Sequence, residues 1–179
     1  MVEKLEEGED ILLALIPKKR LQRLLHALLD EGEFFSPGGI RSLSKIHKDG
    51  YSINIGGQRF GLQYEPAESQ TYLFGGNSNW RGPVWLPMNY LIIKSLQEFY
   101  KYYGNEIQVE CPTDSGNYVT LGVAAEDISH RLISLFTADE DNHRPIHDHV
   151  DKYATDEHFK ELILFYEYFH GDNGRGVGA

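Results

Sequence analysis

The 179-residue sequence predicts a mainly α protein with long loops and one small β-hairpin. Three observations lead there. Apolar residues recur at helical spacing in four separate stretches, one further stretch alternates at strand spacing, and the segments between them are polar and rich in aromatics.

The first helix is expected over residues 18–30, where Leu21, Leu24, Leu25 and Leu28 fall at i, i+3, i+4 and i+7 on one face. Pro17 precedes it, where a missing N–H costs least, and Gly32 follows its end. From Ser36 to Gly76 the helical pattern stops. Pro37-Gly38-Gly39 and Gly56-Gly57 are turn signals. Tyr51, Ile53 and Ile55 alternate with Ser52 and Asn54, so a strand is expected to turn at Gly56-Gly57 and return towards Tyr64 as a hairpin. The next helix opens at Pro87, carries Met88, Leu91, Ile92, Leu96 and Phe99, and ends at Gly104. Another is expected from Leu121 to Phe136, with Ala125, Ile128, Leu132 and Phe136 in one stripe. Residues 137–151 are polar and contain Pro145, so they read as a loop. A last helix is expected from Thr155, which can cap it, with Phe159, Leu162, Ile163 and Tyr166 inward. Gly171 to Gly176 is a glycine-rich loop. Such loops exceed the usual connection of about 4–6 residues, and long loops on a regular scaffold are where sites are usually built. With no internal repeat or linker, residues 1–179 read as a single unit.

Composition narrows the function. Seventeen Lys and Arg against 27 Asp and Glu give a formal charge of −10. That sign argues against nucleic acid, whose binding rests on basic side chains displacing counterions, and fits a neutral, hydroxyl-rich partner. Cys111 is the only cysteine, which excludes an intrachain disulfide and a cysteine-based zinc site. His143, His147, His149 and Asp148 lie in a polar loop without a helical His-x-x-x-His pair, so no metal is expected there. Phosphate-binding, nucleophile-elbow and dinucleotide signatures are absent, and no cofactor is expected. Met1 to Glu7 lacks the basic and apolar regions of a signal peptide. No apolar run approaches the roughly 20 residues that cross a bilayer. The expectation is a cytoplasmic chain with no membrane partner.

Three segments could carry chemistry. Gly75-Gly76-Asn77-Ser78-Asn79-Trp80-Arg81-Gly82-Pro83-Val84-Trp85 runs into Leu86-Pro87-Met88-Asn89-Tyr90 just where a helix begins. Aromatic faces stack on the C–H side of a pyranose, while planar amides and guanidinium groups bind its hydroxyls in pairs. Asn79, Trp80, Arg81, Trp85 and Tyr90 are therefore the candidate sugar-binding residues; the plainer alternative is a rigid loop in which Trp85 and Pro87 only pack. Phe165-Tyr166-Glu167-Tyr168-Phe169 places a carboxylate among four aromatics, against the alternative of a Glu on an exposed helix stripe. Tyr64-Glu65-Pro66-Ala67-Glu68-Ser69 offers two more carboxylates, which could equally be solvated turn residues.

In this order, these segments resemble glycoside hydrolase family 63 and the similar mannosylglycerate hydrolase-like enzymes. The resemblance also runs through Glu33-Phe34-Phe35-Ser36-Pro37-Gly38-Gly39-Ile40-Arg41-Ser42-Leu43-Ser44 and Val109-Glu110-Cys111-Pro112-Thr113. Its most specific part is Asn79 to Trp85. The resemblance implies an (α/α)6 toroid, of which residues 1–179 would be the C-terminal portion, truncated at both ends. It implies inverting hydrolysis of a terminal α-linked glucose or mannose, with Glu167 as general base. The family's general acid, an Asp, matches no Asp here and is expected outside this sequence. The chain alone is then expected to be inactive, with its apolar helix faces covered by the missing N-terminal part or by self-association. Two other readings stand beside this one: a non-catalytic carbohydrate-binding module, and a subunit that completes its site with a partner chain.

Overall fold

In a computed structural model, residues 2–4, 11–70 and 79–178 are described. In chain order the elements are β1 (Val2–Lys4), β2 (Ile11–Leu13), α1 (Lys18–Leu28), β3 (Phe35–Ser36), β4 (Gly39–Ile40), β5 (Tyr51–Ile55), β6 (Gln58–Leu62) and β7 (Val84–Trp85). Then follow α2 (Leu86–Tyr103), β8 (Gln108–Glu110), β9 (Tyr118–Thr120), α3 (Leu121–Ser134), α4 (Lys152–Thr155), β10 (Tyr168–Phe169) and β11 (Gly176–Gly178). Among the described residues the strands form five small sheets around four helices, one of them a single turn. This overturns the expectation of a mainly α protein built as part of an (α/α)6 toroid. The loops that were to join toroid helices fold instead as short strand pairs.

The three long helices form where apolar spacing placed them. α1 enters through the extended backbone of Pro17, whose carbonyl accepts from the amides of Arg20 and Leu21. It buries Leu21 and Leu25 and leaves Leu24 53% exposed. α3 is capped by the Thr120 hydroxyl, which accepts from the Val123 amide. α2 and α3 pack side by side. Their approach is close enough that a Cβ on Gly122 would come within 2.8 Å of the Tyr100 ring. Ile93 and Leu96 of α2 meet Ala124, Ala125 and Ile128 of α3 in a core that also takes Leu21, Leu25, Phe35, Val84 and Phe169. The inward face of α2 is rotated from the expected stripe: Asn89, Ile93, Leu96 and Tyr103 are buried, whereas Met88 and Leu91 are exposed.

The hairpin is where it was expected. β5 and β6 pair in register from Tyr51↔Leu62 to Ile55↔Gln58, around Gly56 and Gly57 at φ 58° and 82°. Apart from partly covered Leu62, its strands are exposed, so the hairpin stands off the core.

The expected helix from Thr155 to Tyr166 is not formed. Thr155 is the last residue of α4 rather than a cap, and its hydroxyl donates back to the Asp151 carbonyl. The next residue, Asp156, is extended and its carboxylate accepts from the His158 amide at 2.8 Å. That side-chain turn competes directly with helix propagation. Leu162 and Ile163, expected inward, are exposed. No helix among the described residues is long and apolar enough to cross a membrane. Leu5 to Glu7 and the Gly75–Ser78 part of the polar-aromatic loop lie outside the described residues.

Candidate functional site

A three-stranded antiparallel sheet, in the order β11–β10–β7, brings the two aromatic segments together. Tyr168 pairs with Trp85 and Phe169 with Val84. Strand alternation sends Val84 and Phe169 into the core, where both are fully buried. On the other face Trp85 stacks on Tyr168 at 4.5 Å between centroids, and Trp80 stacks on Trp85 at 4.0 Å with the rings 1° from parallel. The Trp85 indole N–H donates to the Asn79 carbonyl at 2.9 Å, which fixes the loop that carries Trp80. The outermost ring, Trp80, is 43% exposed.

Glu167 sits one residue before Tyr168. Its amide donates to the Gly178 carbonyl at 2.8 Å and its carbonyl accepts from the Leu86 amide at 3.0 Å, so its backbone is held between the N-terminus of α2 and β11. Its side chain is exposed. The flanking aromatics do not enclose it as expected, because Tyr168 and Phe169 turn inward and Phe165 is 67% exposed. Burial raises the Tyr168 phenol above its ordinary range, helped by the charges of Glu68 and Glu167. Both carboxylates therefore lie within electrostatic reach of one ring.

Other predicted site residues face inward. Asn79 donates to the carbonyls of Glu65 and Ala67, each at 2.7 Å, and accepts from the Arg81 amide. Arg81 pairs with the Glu65 carboxylate at 2.7 Å and donates to the Ser69 hydroxyl. Asn79, Arg81 and Trp85 are buried, whereas Tyr90 is exposed on the first turns of α2. Gly82, at φ 150°, lets the loop pass so near residue 65 that a Cβ would stand 2.7 Å from its carbonyl oxygen. Arg81 lines an open cleft beside the hairpin, whose walls include Ser52, Arg59, Gly61 and Glu65.

Two supports were not picked out from the sequence. Asn89, fully buried on α2, accepts from the Ile40 amide and donates to the carbonyls of Ile40 and Trp85, tying β4 to β7. An Asn on the inward stripe of a helix, where its propensity is poor, was the available signal. Arg41 donates to the carbonyls of Gly171, Glu31 and Glu33, and lies 3.5 Å from Asp172. Asp172 also accepts from Lys45 at 2.8 Å and from the Tyr64 hydroxyl at 3.1 Å. Burial pulls its carboxyl upward, but the Lys45, Tyr64 and Arg41 interactions outweigh that and hold it below the usual range. A carboxylate held ionised in this way is unsuited to donating a proton.

In the histidine loop, His147 is buried, stacked on Tyr153 at 4.1 Å, with Nε2 3.2 Å from the Leu162 carbonyl. Among the described residues no cluster of His, Cys, Asp or Glu is placed to hold a metal.

Comparison with known proteins adds the following. The profile of the glycosyl hydrolase family 63 C-terminal domain matches residues 10–113. An uncharacterized protein of Saccharomyces cerevisiae is 50% identical over 175 residues, covering 96% of this chain and 16% of that protein. A probable mannosyl-oligosaccharide glucosidase of Schizosaccharomyces pombe is 36% identical over 92 residues, covering 50% of this chain and 8% of that protein. The chain thus spans less than a fifth of either relative's length.

Proposed function

The chain belongs to glycosyl hydrolase family 63, and from that premise we propose that it is the part of an inverting α-glycosidase that supplies the general base, Glu167, and one aromatic wall of the sugar subsite. The observation that carries this reading is the ladder of Trp80, Trp85 and Tyr168, whose outer ring is 43% exposed, with the exposed Glu167 next to Tyr168 in the chain. A flat indole suits the C–H face of a pyranose. Glu167 takes the proton from the attacking water. The acid that protonates the leaving oxygen comes from outside this chain and stands on the opposite face of the sugar, roughly 6.5–9.5 Å from the base as inversion requires. Trp80 and Tyr90 touch the sugar. Trp85 and Asn79 position Trp80 from behind, since their hydrogen-bonding groups are engaged with the protein, and Arg81 is held by Glu65 and Ser69. The substrate class is a terminal α-linked glucose or mannose.

With one carboxylate of the pair in hand, the purified 179-residue chain should show no measurable turnover of an aryl α-glucoside. Joined to the rest of a family 63 catalytic domain it should hydrolyse that substrate with inversion. There, Glu167→Gln should lower kcat by on the order of 10²–10⁴-fold. Undiminished turnover by that variant, or a product of retained configuration by NMR, would refute the assignment.

A further inference from the structure

The Trp80 loop has a second side. Between the polar face of the β5–β6 hairpin and the Glu65–Arg81 pair lies an open cleft of about 640 Å³, within the range of roughly 300–1,000 Å³ of small-molecule sites. Ser52 is paired with Gly61 and Asn54 with Arg59, so strand alternation sets Ser52, Arg59 and Gly61 on one hairpin face, with Gln63 following in the same sense. Opposite them stands Arg81, only 3% exposed. Its Nε is buried and has no hydrogen-bond partner among the described residues, although the same guanidinium is already paired with Glu65. The charges in the walls cancel, Arg59 and Arg81 against Asp49 and Glu65, so nothing there selects an anion or a cation. What remains is a set of planar donors and acceptors suited to paired hydroxyls. Gly61 keeps the middle open: a Cβ there would meet nothing nearer than 3.9 Å.

We propose that this cleft is a second saccharide site, distinct from the Trp80 platform, that holds a neutral hexose unit away from the bond processed at Glu167. The proposal rests on the reading that the chain handles saccharides, and it places the ligand on the far side of the Asn79–Arg81 loop. The test is a titration of the ¹⁵N-labelled chain with maltose, methyl α-mannoside and inorganic phosphate, followed by NMR. Amides of Ser52 and Gly61 should shift with at least one of the two sugars and not with phosphate. Gly61→Trp, which fills the cleft without backbone conflict, should weaken that response about tenfold or more. Arg59→Ala, on an exposed strand, should weaken it as well and serves as the second variant. Trp80→Ala should leave it intact. Sugar shifts confined to the indoles and Glu167, shifts that survive both hairpin variants, a response to phosphate alone, or no hairpin response to either sugar would each overturn the proposal. The Trp80 and Trp85 indole signals report the platform separately, so either site can fail while the other stands.

Discussion

At the scale of single residues, the side chains best placed to meet a sugar are not the ones that hold the site together. Arg81 and Glu65 form a nearly buried pair, with side chains 4% and 12% exposed. Removing one partner of such a pair leaves the other as an uncompensated charge, typically at a cost of about 3–5 kcal/mol. Arg81→Leu should therefore lower unfolding free energy by that order in urea, while Trp80→Ala, at the open end of the stack, should lower it by much less. Asn89 behaves like Arg81. Its three hydrogen bonds serve β4 and β7, and Asn89→Leu would orphan the Ile40 amide, costing about 1–3 kcal/mol. From the sequence, Asn79 and Arg81 looked like sugar ligands because residue type suggests what a group can bind, not what has already bound it. Glu65 and Ser69, which occupy Arg81, lie more than ten positions away in the chain. Nothing local announced that contact.

At the scale of elements, α1, α2, α3 and the β5–β6 hairpin were legible because each repeats its pattern often enough to be read. The two-residue strands β3, β4, β7 and β10 carry no such pattern. β3 and β4 pair locally across Pro37-Gly38, but β7 and β10 find each other only from far along the chain, and with them went the sheet that joins Trp85 to Tyr168. The lost C-terminal helix has a smaller cause: Asp156 takes the His158 amide and ends α4 after one turn. The short sheet should nonetheless be well anchored. Phe169 is fully buried, edge-on to Phe136 and Tyr166. Phe169→Ala should cost about 3–5 kcal/mol and release the Trp85–Tyr168 stack, visible as a change in near-ultraviolet circular dichroism. An unchanged aromatic spectrum would show that the stack does not depend on β10.

At the scale of the whole molecule, acid should weaken the fold in two stages. Burial is the first cause that holds His147 and His170 below the ordinary histidine range. Their unfolded forms take up protons near pH 6.5 while the folded ones do not, so their stability contribution is complete above that pH and falls below it. Asp172 adds a later loss, as pH drops below the ordinary aspartate value towards its depressed folded one. Melting temperature should fall between pH 7 and 5, and His147→Phe, which keeps a ring against Tyr153, should flatten that fall. The surface makes a further demand. Met88, Tyr90 and Leu91 leave one flank of α2 apolar and open, beside a groove floored by Ile93 and Leu132. Each such side chain left in water forgoes roughly 1.5–3 kcal/mol of burial. The isolated chain should associate with rising concentration on size-exclusion chromatography, and Leu91→Lys should shift it towards monomer. The sheet order β11–β10–β7 also has a meaning in time. Trp85 leaves the ribosome long before Tyr168, so its face towards that ring waits uncovered until β10 has followed. The Trp85–Tyr168 rung then closes in one late, long-range step, the kind of contact that forms slowly. Indole fluorescence would mark the moment when these two distant segments meet.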